Sequence, residues 1–196
     1  MTCVRRTVLL GTVLGILVSV AIGGSGSKEK RFPIPAHGTL ELDVPDALDA
    51  LLDQPADGGP PAIAMRPKQT GDTGVIVVVS WREPGDNDFG SDTYLQRVLR
   101  EKARPYLDQL KLADVPLTRL TGGKNPGYAC SMTDNALVGK PPEPGNFPFM
   151  RLGVVTTGDL VLTYMILMYS QTPDPVPKLE PMFLNARQRA SEKGTR

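Results

Sequence analysis

Apolar and polar residues alternate with a period of two along much of this chain. Leu40, Leu42 and Val44 alternate with Thr39, Glu41 and Asp43, which predicts a strand with one wet face, ended by Pro45. Asp46 to Leu52 fits a helical turn or a second strand, the strand being preferred, and Asp57-Gly58-Gly59-Pro60-Pro61 closes it as a loop. Ala62 to Arg66 and Gly74 to Trp81 read as a hairpin around Thr70-Gly71-Asp72. Val75, Val77, Val79 and Trp81 fall on one side of the second strand and Ile76, Val78 and Ser80 on the other, so both sides are largely apolar. Leu160 to Tyr169 has the same character, and strands of this kind belong in the middle of a covered sheet. Further strands are expected near Val115 to Thr121, Tyr128 to Thr133 and Phe149 to Thr157, the last joined to Leu160 through Gly158-Asp159 as a type II′ turn.

The period changes in two places. After an N-cap at Ser91 or Asp92, residues Leu95, Val98, Leu99, Tyr106, Leu107 and Leu110 recur at helical spacing, with Pro105 expected to kink or break the helix near Arg104. Leu179, Met182, Phe183 and Ala186 mark a second helix, with Pro181 placed in its first turn. One helix on each face of the sheet is the economical arrangement. The fold class expected is α+β: an antiparallel sheet of about six to seven strands covered by helices on both faces. Residues 135–148 form a long loop around Lys140-Pro141-Pro142-Glu143-Pro144-Gly145, too rich in proline for either element and expected to be mobile.

Residues 1–26 stand apart. Arg5 and Arg6 precede an uncharged run from Thr7 to Ile22 and the small residues Gly23 to Gly26, the layout of a secretion signal, with cleavage after Ala21 or Gly23. The alternative is a retained helix anchoring the chain to the inner membrane. Arg5-Arg6-Thr7-Val8-Leu9 partly matches a twin-arginine signal, leaving the export route open. The expected organisation is a signal at 1–26, a charged and proline-bearing lead-in at 27–36, one domain at 37–190 and a polar tail at 191–196. The location expected is periplasmic or secreted, with no stable membrane insertion once the signal is cleaved.

Composition adds mainly exclusions. The chain has 196 residues and a formal net charge of +1, with Lys and Arg scattered, so nucleic acid is not expected as a partner. Cys3 leaves with the signal, and Cys130 in a strand reads as a small core hydrophobe. His37 is the single histidine and reads as solvated surface, leaving no histidine-based zinc cluster or triad. Asp86 to Asp92 has the oxygen spacing of a calcium loop at first glance, but Arg97 stands where the bidentate glutamate belongs, so a turn and helix cap explain it better. Gly122-Gly123-Lys124 lacks the spacing of a phosphate loop and reads as a turn. No catalytic residue, metal site or cofactor is assigned. What remains as a candidate partner surface is Trp81 at a strand end, Lys140 in the proline-rich loop, and Phe147 and Phe149 at its exit, with Tyr128 as a further aromatic.

Three stretches carry a resemblance: His37-Gly38-Thr39-Leu40-Glu41-Leu42-Asp43-Val44-Pro45, Gly59-Pro60-Pro61-Ala62-Ile63-Ala64-Met65-Arg66-Pro67, and Gly158-Asp159-Leu160-Val161-Leu162-Thr163-Tyr164-Met165-Ile166-Leu167. With Leu120-Thr121-Gly122-Gly123 and Gly127-Tyr128 between them, the chain resembles a family of uncharacterised exported bacterial proteins. That family is similar in fold to the photosystem II extrinsic subunit PsbP, to DcrB-type envelope proteins and to a Ran-binding import factor. The resemblance implies a PsbP-like α/β/α sandwich and a non-enzymatic accessory role, and it carries over no functional residue. The function expected is an interaction module of the bacterial envelope, binding a protein or another envelope component through a sheet edge or the proline-rich loop. The alternative is a carrier of a small ligand or lipid, with Tyr164, Met165, Met168 and Tyr169 lining a pocket between sheet and helix. A thiol enzyme built on Cys130 ranks last.

Overall fold

The computed structural model describes residues 26–190, leaving out 57, 70–72, 142, 144 and 173. The signal expected over 1–26, apart from Gly26, the tail at 191–196 and the turn at 70–72 lie outside the described residues. The strands are β1 (Ser27–Ile34), β2 (Gly38–Pro45), β3 (Leu48–Asp53), β4 (Ala62–Pro67), β5 (Thr73–Trp81), β6 (Thr118–Arg119), β7 (Gly127–Thr133), β8 (Phe149–Thr157), β9 (Leu160–Met168) and β10 (Arg187–Arg189). The helices are α1 (Asp92–Leu110) and α2 (Val176–Leu184). Seven strands form one antiparallel sheet in the order β3-β4-β5-β9-β8-β7-β6, and β1-β2-β10 form a second, smaller one.

The two strands apolar on both sides lie at the centre, as their pattern predicts. β5 pairs with β9 from Thr73 opposite Met168 to Trp81 opposite Leu160. On one face of the large sheet, Val75, Val77, Val79, Leu162, Tyr164 and Ile166 are buried with Leu40, Leu42 and Val44 of β2 and with Leu179 and Phe183 of α2. On the other face, Leu95, Leu99, Ala103 and Leu107 of α1 pack on Tyr128, Cys130, Leu152 and Val154 of β7 and β8. The expected sheet with helices on both faces is found, and the smaller sheet shares one face with α2.

Three expectations are corrected. Residues 27–36 are no lead-in: β1 pairs with β2 along its whole length, burying Phe32 and Ile34. As an edge strand β1 tolerates Pro33, whose missing N–H costs no ladder bond there. α1 runs unbroken through Pro105, held by its five buried side chains, and ends where Lys111 turns left-handed at φ 57°. In α2 it is Pro177, not Pro181, that occupies the first turn, and Pro181 lies inside the helix.

Among the described residues Glu41 on β2 is the one buried carboxylate, 1% exposed, beneath the guanidinium groups of Arg31, Arg187 and Arg189. Burial raises the Glu41 carboxyl, but Arg189 and Arg187 outweigh that and hold it below the ordinary carboxylate range. This charge cluster joins all three strands of the smaller sheet on its outer side. Beneath that sheet, Tyr164 stacks on Phe183 at 4.1 Å and 9°, and its hydroxyl donates to Glu180 Oε1 at 2.8 Å. Arg151 Nε donates to the same oxygen at 2.8 Å, tying α2 to β8 and β9.

Gly153 on β8 makes room for the Tyr164 side chain: a Cβ there would collide with the ring carbons Cζ and Cε1 and with the hydroxyl oxygen. The ring is fully buried and flat against Phe183, so it has nowhere to go. Gly153→Ala is therefore expected to destabilise the fold by roughly 2–3 kcal/mol, read as a lower urea midpoint at unchanged m-value. An unchanged midpoint would show that the ring has slack the packing does not suggest.

Candidate interaction surface

An α-helix with its side chains is roughly 10 Å across and strands lie about 4.8 Å apart, so one helix covers about two strands of a sheet. α1 lies on β7 and β8, and Tyr106 carries its reach to β9, donating its hydroxyl to Met165 Sδ at 3.1 Å. Beyond β9 the same face continues over β5, β4 and β3, where no element among the described residues covers it. Strand alternation and register put Leu167 of β9, Ile76 and Val78 of β5, Ala64 of β4 and Leu51 of β3 on this open quarter. The first four are half-buried and join neither buried cluster, while Leu51 is 72% exposed.

The proline-rich loop borders this area. Phe147 stacks on Tyr169 at 4.4 Å, and a Cβ on Gly74 would lie 4.0 Å from the Phe147 ring, which places the pair at the end of the open strip. The loop is held by turns: Asp134 N–H donates to the Pro148 carbonyl at 2.8 Å, Asp134 Oδ1 accepts from Ala136 N–H, and Asn146 bonds both backbone and side chain of Glu143. The Tyr169 hydroxyl donates to the Glu143 carbonyl. Lys140, Leu137, Pro141 and Tyr169 line a cavity of about 230 Å³ beneath it.

The four residues singled out from the sequence do not form one patch. Lys140 and Phe147 come together through Tyr169. Phe149 shares its face with Met168 and packs against the core on the α2 side. Trp81 pairs with Leu160 at the far end of β9 from Phe149, eight residues and roughly 27 Å away. Leu51, Ile76 and Val78 are what residue-by-residue inspection passes over, and Tyr169, expected in a pocket between sheet and helix, stacks on Phe147 beside the loop instead. The available signal is Leu51-Leu52 in a strand, where one of two adjacent leucines must face outward.

At the far end, His37 is partly buried rather than solvated. Its ring stacks on Trp81 at 4.4 Å and 18°, and Nδ1 lies 2.9 Å from Asp159 Oδ2 in the β8–β9 turn. Gln188 of β10 donates to the His37 carbonyl at 2.7 Å and to Asp159 Oδ1, and accepts from Asp159 N–H at 2.7 Å. Gly158, at φ 59°, has no room for a side chain because Gln188 Oε1 occupies the place of its Cβ. The cluster ties three turns and strands of the two sheets together.

The remaining motifs resolve as local structure. Cys130 is fully buried, and burial pushes its thiol up to about 11, with Arg151 only partly offsetting, so the sulfur is a neutral core atom. Ser91 caps α1, its Oγ accepting from Tyr94 N–H at 3.1 Å. Lys124 and Asn125 N–H groups both bond the Leu184 carbonyl, docking the Gly122-Gly123 turn on α2. Among the described residues no group of three or more His, Cys, Asp or Glu is placed to hold a metal ion.

Cyanobacterial PsbP (CyanoP) from Synechocystis sp. PCC 6803, known from a solution structure, is similar in fold. The TM-score is 0.51 at 17% sequence identity, over 89% of this chain and 100% of that one. No family model matches the sequence, and no curated protein does. The PsbP-like fold expected from the sequence is thus present.

Burial raises the Asp159 carboxyl, but His37 and Gln188 outweigh it and hold it below the ordinary carboxylate range. A depressed carboxylate contributes stability in full above its unfolded value, near pH 4, and loses it as pH falls through the lower folded value. Wild type should therefore exceed Asp159→Asn in urea midpoint at about pH 6, with the gap closing as the pH falls below about 4. A gap independent of pH would mean that the carboxylate's charge plays no part.

Proposed function

We propose that the chain is an exported, non-enzymatic interaction module of the bacterial envelope that receives a partner protein on the open quarter of its large sheet. The observation that carries this reading is the coverage of that sheet: α1 shields β7 to β9, while Leu51, Ala64, Ile76, Val78 and Leu167 stay accessible beside the stacked Phe147 and Tyr169. A contiguous apolar area beside a rigid, polar-rimmed scaffold is the usual mark of a protein-binding face. Export rests on Arg5, Arg6 and the uncharged run to Ile22, and the accessory role on the likeness to uncharacterised exported proteins and on the PsbP-like fold.

The carrier alternative asks for a pocket of about 300 Å³ or more between sheet and helix. Tyr164 and Met168 are buried in the core instead, and the concavities described lie elsewhere. One is the cavity of about 230 Å³ under the loop; the other is a broad, open dip of about 480 Å³ lined by Pro33, Ala36, Thr39 and Arg189.

A photo-crosslinking phenylalanine placed singly at Leu51, Val78 or Lys102 in the full chain, in its native host, tests the reading. Leu51 and Val78 should give adducts to one common protein, and Lys102, on the solvent side of α1, should give none to it. Equal labelling from all three positions, or adducts to lipid alone, would overturn it.

A further inference from the structure

Resting on that reading, we propose that the outer edge of β3 is a strand-addition site for an extended segment of a partner protein carrying basic, apolar and basic side chains at alternate positions. β3 ends the seven-strand order and pairs with β4 alone. The Lys68 N–H donates to the Ala47 carbonyl at 2.9 Å, which extends that ladder by one pair. In an antiparallel ladder, opposed residues alternate between exchanging both bonds and none. The peptide groups of Asp49, Leu51 and Asp53 therefore turn toward β4, and those of Leu48, Ala50 and Leu52 turn outward. Pro67 fits this phase, since it stands opposite Leu48, where no N–H is required of it. No backbone partner for the outward groups occurs among the described residues.

Side chains choose the partner. Leu51 lies on the open face between Asp49 and Asp53, both exposed. Neither aspartate side chain makes a hydrogen bond or ion pair among the described residues, Arg66 opposite Asp49 included. A second copy of this chain is a poor occupant. Antiparallel pairing that sets Leu51 against Leu51 sets Asp49 against Asp53 on both sides, and pairing centred on Ala50 sets Leu51 against Asp49. A strand with Lys or Arg two positions either side of a Val, Ile or Leu satisfies both aspartates and covers Leu51 in either direction.

The test follows amide hydrogen exchange in the ¹⁵N-labelled full chain with the capped peptide Thr-Lys-Thr-Val-Thr-Lys-Thr and with the same peptide carrying Glu for Lys. The lysine peptide should slow exchange at Leu48, Ala50 and Leu52, and the glutamate peptide should need an about tenfold higher concentration. Asp49→Lys with Asp53→Lys should reverse the order. Unchanged exchange at these amides, equal action of the two peptides, or protection without peptide in a chain that sediments as a dimer would each overturn the proposal. Common crosslinks from Leu51 and Val78 with unprotected edge amides would sink strand addition while leaving the open-face reading intact. Protected amides without common crosslinks would do the reverse.

Discussion

Everything distinctive about this molecule follows from a shortage of cover. A seven-stranded sheet whose central strands β5 and β9 are apolar on both sides has two faces to take out of water. One face is served by a second sheet and α2 together, and nearly all the large buried side chains of β2, β5 and β9 meet there. The other face has α1, nineteen residues long and one helix wide. Its stripe of Leu95, Leu99, Ala103 and Leu107 settles on β7 and β8, where Tyr128, Leu152 and Val154 offer the larger side chains. Apart from Leu51 on β3, the β3–β5 quarter is left with the small or β-branched residues Ala64, Ile76 and Val78, a composition that tolerates partial exposure without demanding it.

The local parts of this arrangement are legible in the sequence. Period-two alternation locates β2, β5 and β9, two-sided apolarity places β5 and β9 in the middle, and Ser91 marks the start of α1 with the hydroxyl that caps it. What escapes a linear reading depends on partners distant along the chain. Lys28 to Arg31 look like a solvated lead-in because Arg31's carboxylate is on the next strand and Glu29's guanidinium, Arg187, is near the C-terminus. His37 looks solvated because the Asp159 it meets lies 122 residues further on. Pro105 looks like a break because propensity speaks for an isolated helix, whereas five buried side chains hold this one together across it. The candidate surface suffers in the same way. Trp81, Phe147 and Phe149 are conspicuous as aromatics, yet which face each occupies is fixed by register, and register separates them.

The two ends of the large sheet are built to different standards. At the Trp81 end, Asp159, Gln188 and His37 lock the β8–β9 turn, β10 and the β1–β2 turn to one another, and only glycine is admitted at 158 because Gln188 fills the space beside it. At the Phe147 end, the connections are a proline-rich loop fastened by its own turns and by Tyr169. A scaffold locked at one end and carrying a proline-rich loop at the other is mechanically suited to present the loop and the neighbouring open strip as one surface.

The aspartates on β3 connect this surface to the solubility of the chain. An exposed edge strand beside an uncovered apolar face is a template for pairing with copies of itself, and natural sheets blunt such edges with charge. Asp49 and Asp53 do this here at minimal expense to the fold, because both point away from the core that Leu48, Ala50 and Leu52 enter. Charge of one sign, however, repels only its own kind. The two carboxylates that set Asp against Asp in a self-pairing become attractive toward a strand of opposite sign, so the same side chains that keep copies apart also specify what is allowed to dock. Protection from self-association and selection of a basic partner are, at this edge, one electrostatic fact.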